Sequence, residues 1–149
     1  MKEITIIIFL LAQAASLNAY ACSCKKGTTT QKYQKASKVF IAHITSTKEI
    51  INNRSGEPYF KGNHIKAVYN VKEIFKGSPV NGGSITDRVY NGINCSLAIV
   101  AGQDYIIFQY DSNRISTCNG STYYGNKHSD KIISTLKMLR QRHEKKHNK

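Results

Sequence analysis

The chain has no tryptophan, two prolines, four cysteines and nine acidic residues among 149. Its one long apolar run, Ile4 to Ala15, stands at the start and is too short to cross a bilayer. No later segment is as apolar, so the rest of the chain is expected to be soluble or lipid-anchored. Both prolines, Pro58 and Pro79, fall in predicted loops. Asp87, Asp104 and Asp111 show no paired-carboxylate arrangement, and no enzyme is expected. The histidines are scattered. His43 falls in a predicted strand and reads as a satisfied structural residue, while His64 and His128 sit near predicted turns. His143 and His147 stand four apart in a basic tail, without the carboxylate motif of a metal-binding helix. No repeat or low-complexity segment is present.

Against so few acids the chain sets 22 Lys and Arg, a net charge of +13. Such an excess favours acidic partners: nucleic acid, an anionic membrane surface or an acidic protein face. The basic residues are spread out, with a denser run at Lys137, Arg140, Arg142, Lys145, Lys146 and Lys149 that reads as a solvated tail. Met1-Lys2-Glu3, the apolar run and Ala19-Tyr20-Ala21 together form a secretory signal peptide over residues 1–21. Residues 22–149 then make one domain with enough chain for a core. Cleavage after Ala21 leaves Cys22-Ser23-Cys24 as the new terminus, secreted into an extracellular or periplasmic space.

The four cysteines are Cys22, Cys24, Cys95 and Cys118. An even number in an exported chain implies two disulfides. A Cys22–Cys24 bond would be strained; the two other pairings both tie the terminus to two distant points. A zinc site on the C-x-C pair is the rival, but no second close pair of ligands accompanies it.

Thr29-Thr30 caps a helical turn over 31–37. Strands are predicted over 38–45, 64–75, 83–90 and 103–110, with a short last one over 114–118. Residues 52–63 form a loop or hairpin tip, and Asn91-Gly92 a tight turn. Residues 129–146 place Ile132, Ile133, Leu136, Leu139 and more loosely Met138 on one face, with Ser129 as N-cap, which predicts an amphipathic helix. The fold class is therefore all-β, a five-stranded barrel with a short N-terminal helix and a C-terminal amphipathic helix.

Cys22-Ser23-Cys24, Val39-Phe40-Ile41-Ala42, Tyr69 to Gly77, Cys95, Asp104 to Phe108 and Ile115 to Cys118 occur in an order and spacing that resembles the N-terminal domain of the tissue inhibitors of metalloproteinases. Those domains belong to the netrin-like group of OB-type barrels. The match covers most of residues 22–120. The resemblance implies disulfides Cys22–Cys95 and Cys24–Cys118, a zinc metalloprotease as partner, and no cofactor of the protein's own. It also implies contacts through Cys22, Ser23, Cys24, Lys25, Lys26, Ile93 and Asn94. The chain departs from the family in lacking cysteines for a third disulfide, in a short loop between the first two strands, and in having no second domain.

On this reading the α-amine and carbonyl of Cys22 chelate the target's catalytic zinc. An α-amine titrates at about 7.7–8.0, so part of it is neutral near pH 7 and zinc would pull the value lower. Ser23 would enter the specificity pocket. Lys25-Lys26 is less apolar than the family pattern and would select an acidic cleft or weaken binding. The alternative is a non-inhibitory netrin-like interaction module, in one form lipid-anchored to an envelope through Cys22, although Ala19 stands where a lipobox usually has Leu. A monomer is expected. Nine tyrosines on a basic surface could stack bases, but export with disulfides argues against nucleic acid as the main role. The basic charge would also suit an anionic surface or matrix.

Overall fold

Strand β1 (Lys38–Ile50) organises the protein, because its apolar run feeds two cores at once. In the computed structural model, which describes residues 24–25, 27–52, 62–90 and 95–147, Val39 and Ile41 point to one face of the sheet. Phe40, Ala42 and Ile44 point to the other. Strand β4 (Asp104–Gln109) repeats the pattern: Ile106 and Phe108 join the first core, Tyr105 and Ile107 the second. Strands covered on both faces carry continuous apolar runs rather than alternating ones, which is why these two stand out in the sequence.

With β2 (His64–Lys76), β3 (Ser84–Arg88) and β5 (Thr122–Tyr123), the strands form one sheet in the order β3-β2-β1-β4-β5. Every pair is antiparallel. Among the described residues the protein is thus mostly β, one five-stranded sheet with two α-helices. The β1–β2 register shifts after Val39, after Ile41 and between Ile44 and Ser46; such bulges bend a strand. Beyond β4 the chain returns to the far edge of β3 through a parallel bridge between Thr86 and Arg114.

The first helix, α1 (Thr29–Lys35), is too short to persist alone and is held at both ends. Thr28 accepts from the Gln31 amide at 3.2 Å, and the Gln31 side chain accepts from the Thr28 amide at 3.0 Å, a reciprocal capping box. At the other end Lys76 Nζ donates to the carbonyls of Tyr33, Gln34 and Ala36 at 2.9, 3.0 and 2.6 Å, which satisfies carbonyls the helix leaves open. Tyr33 is buried and donates its hydroxyl to Phe75 O at 2.8 Å. Thr28→Ala is expected to cost about 1 kcal/mol in urea unfolding; an unchanged midpoint would show that the cap carries nothing.

Helix α2 (Lys127–His147) lays Ile132, Ile133 and Leu136 on the first core, with Leu139 packed beside them, while Met138 stays exposed. Three sequence expectations need correction. The helical turn expected over 31–37 runs from Thr29 to Lys35, because Thr28 rather than Thr29 or Thr30 supplies the cap and Ser37 donates instead to Gln109 O and Tyr110 O. Ser129 is not the N-cap of the closing helix. Asn126 accepts from the Ser129 amide, and the buried Ser129 hydroxyl accepts from the Asn126 and Gly125 amides, so Ser129 is the inner partner of the box. The expected strand over 114–118 reduces to the bridge at Arg114 followed by a 3-10 turn, Thr117–Asn119. The fifth strand is Thr122–Tyr123, paired to Tyr105 and Ile106.

Candidate functional site

Cys24 is bonded to Cys118, 94 positions away. Cys118 sits in the 3-10 turn, which ends at Gly120 in the left-handed region (φ 107). A side chain at Gly120 would meet Lys32 at 2.8 Å and the Phe108 ring at 3.3 Å, so glycine lets the turn lie close against α1 and the core. Cys95 approaches from a third direction. Its sulfur lies 4.0 Å from that of Cys24, and its carbonyl accepts from both the amide and the hydroxyl of Thr117, at 3.0 and 3.1 Å. Cys95 is also disulfide-bonded. Three segments, around residues 24, 95 and 118, therefore meet at one point, their sulfurs within 4.8 Å. A sulfur held in a disulfide is not the thiolate a zinc site needs, so the cluster is a staple rather than a metal centre.

The loop carrying Cys95 is fixed from beneath by Asp87. This residue is only 2% exposed, and its carboxylate accepts from Ser96 Oγ at 2.8 Å, the Leu97 amide at 2.8 Å and the Arg88 amide at 2.9 Å. Ser96 Oγ in turn accepts from the Ala98 amide at 2.9 Å. Ala98 has φ 50, a conformation that costs a non-glycine residue roughly 1–2 kcal/mol, and the relay from Asp87 holds it there. Burial pushes the Asp87 carboxyl above its ordinary range, and the hydrogen bonds from Ser96, Leu97, Arg88 and Ala98 offset only part of that. Further along, the Val100 amide donates to Tyr105 Oη at 3.1 Å.

Of the residues expected to make contact, Cys24 is half-buried and Lys25 exposed beside it. Cys22, Ser23, Lys26, Ile93 and Asn94 lie outside the described residues, as do the 1–21 leader, the Cys22–Cys95 bond and the Asn91-Gly92 turn. Their described neighbours in the chain, Cys24 and Cys95, are the two whose sulfurs approach each other. Asp87 is no paired carboxylate in the sequence, and its role under the Cys95 loop is not read there, yet it had a signal: it shares strand phase with the buried Ile85.

His43 is a partnered strand residue. Its Nδ1 lies 2.7 Å from Asp104 Oδ1, and Lys72 Nζ lies 2.7 Å from Asp104 Oδ2. Burial alone would raise the Asp104 carboxyl; the hydrogen bonds and charges of Lys72 and His43 outweigh it and hold the group below its ordinary range. Its share of stability is thus present above about pH 4 and lost as pH falls through the depressed value. Asn53-Arg54-Ser55, Asn94-Cys95-Ser96 and Asn119-Gly120-Ser121 match the glycosylation pattern in the sequence, and two of these have their hydroxyls engaged: Ser96 on Asp87, and buried Ser121 accepting from the Phe108 amide.

Compared with known proteins, the chain matches no family model, and no curated protein is similar to it in sequence.

Proposed function

We propose that the protein is a secreted inhibitor of a zinc metalloprotease, similar to the N-terminal domain of the tissue inhibitors of metalloproteinases, and that it acts through the main-chain amine and carbonyl of Cys22. The observation that carries this reading is the meeting of Cys24, Cys95 and Cys118, which fastens the chain two residues after Cys22 to the core. A chelating terminus gains from such fastening, because a pre-ordered group loses little entropy on docking.

The amine and carbonyl of Cys22 would form a five-membered ring with the target's zinc. They would take the position of the catalytic water and remove the nucleophile. Ser23 would follow into the specificity pocket, Cys24, Lys25 and Lys26 would run along the cleft, and Ile93 and Asn94 would form a second ridge beside them. The protein itself needs no cofactor and catalyses nothing. The Thr86–Arg114 bridge supports reading the sheet as an OB-like barrel, since it brings the chain after β4 alongside β3. The Cys24–Cys118 bond supports an oxidising destination, extracellular or periplasmic.

The test compares protein beginning at Cys22 with protein carrying one extra alanine ahead of it, against a panel of zinc endopeptidases. The extension is expected to raise the inhibition constant at least about tenfold, roughly 1.4 kcal/mol. Equal inhibition by the two would overturn chelation. Inhibition by neither would favour the interaction module. Intact mass of the native protein adds an independent check: two hydrogens missing per disulfide fit the proposal, and added acyl mass would replace it with a lipid anchor.

A further inference from the structure

A groove of roughly 640 Å³ runs between α1 and the segment around the 3-10 turn. Lys32 and Lys35 line it from α1 and Lys25 from the segment beside Cys24, together with Tyr110, Cys118 and Asn119. Among the described residues no carboxylate lines it. Ion pairs join Asp104 to His43 and Lys72 and Glu73 to Arg140, and none of the three groove lysines is paired with an acidic residue among the described ones. Ammonium groups gathered around one groove repel one another and concentrate anionic groups nearby. Gln31 and Gln34 on the same helix add amide donors.

We infer that this groove receives an acidic polypeptide segment of the partner, rich in Asp and Glu, as a second contact beside the zinc-directed terminus. The groove shares Cys118 with the staple and Lys25 with the chain leading away from it, so a protein seated at the terminus would extend directly into it. Its concave form does not suit a flat bilayer. Contacts of this kind steer association and select partners more than they add raw affinity. The inference rests on the inhibitory reading for the partner's identity, and on the lysines alone for the chemistry.

The experiment titrates the protein into a short fluorescein-labelled poly-glutamate peptide and reads anisotropy at low and at physiological salt. Lys32→Glu/Lys35→Glu is expected to weaken binding about tenfold and to flatten its salt dependence, with Lys32→Gln/Lys35→Gln in between. The control Lys131→Glu/Lys137→Glu, on the exposed side of α2, removes the same charge elsewhere and is expected to change binding less than about twofold. Equal losses in the groove and control variants would overturn the inference by reducing it to net charge. Absence of peptide binding, or binding of a heparin fragment that the same lysines carry while the peptide is ignored, would overturn it as well. No protease enters the titration, so its failure leaves zinc chelation standing, and failure of the alanine-extension test leaves the titration standing. On any protease the protein inhibits, the groove variant should raise the inhibition constant while inhibition persists.

Discussion

Replacing Cys24 and Cys118 together by serine is expected to cost roughly 4–5 kcal/mol of folding stability. The bond closes a loop of 94 positions, and chain-entropy arguments assign a constraint of that length about this magnitude. Against the 5–15 kcal/mol that typically separates folded from unfolded domains, the loss is roughly a quarter or more of the total. Urea unfolding of the oxidised protein and the double variant measures it, and a difference below about 2 kcal/mol would show that the unfolded chain is already constrained without the bond. The core residues keep their packing, so the sheet should survive at low temperature. The segment around Cys24 would then lose its tie to the 3-10 turn, and on the proposed mechanism inhibition should fall further than the folded fraction does.

Asp87→Ala should be the next most damaging change, at about 3 kcal/mol. It removes the acceptor for Ser96 Oγ and for the amides of Leu97 and Arg88, and each buried donor left unpaired costs roughly 1–3 kcal/mol, partly offset by relief of a buried charge. Asp87→Asn keeps the shape and one carbonyl acceptor, so it should fall between wild type and alanine. The two also differ in pH response. Because burial raises the Asp87 pKa above the ordinary 3.8, the folded state favours the acid form. The stability this residue contributes is full below about pH 4 and declines as pH climbs through the raised value. Asparagine does not titrate, so the penalty for Asp87→Asn should shrink between pH 4 and pH 7.5. Thermal unfolding of both proteins at the two pH values checks it, and a penalty that grows with pH would reverse the assignment.

The strands were legible where burial wrote them. Val39 to Ala42 and Tyr105 to Phe108 are covered on both faces, and their starts could be placed almost to the residue. The second half of β1, Thr45 to Glu49, is exposed; β2 recruits it, with Glu49 opposite Ile65 and Ile50 opposite His64, and no apolar pattern announces such pairing. Thr122–Tyr123 is a strand only because Tyr105 and Ile106 lie beside it. Around the candidate site, the cysteines marked the segments that meet, near residues 24, 95 and 118. What fixes them was harder to read, because Thr117 acts through a backbone carbonyl far away in sequence, and Asp87 is a charged residue in a strand's buried phase. The basic groove was invisible for the same reason: Lys25, Lys32 and Lys35 line one groove with Asn119 only after the chain has folded back.

The bridge at Arg114 also bears on how the protein survives at high concentration. Open strand edges recruit neighbouring molecules into aggregates. On the β3 side, the Thr86 amide donates to Asn113 O at 2.8 Å and its carbonyl accepts from the Ile115 amide at 2.9 Å, so the middle of that edge has nothing left to offer a stranger. On the opposite side β5 is two residues long, too brief a template for another chain to extend.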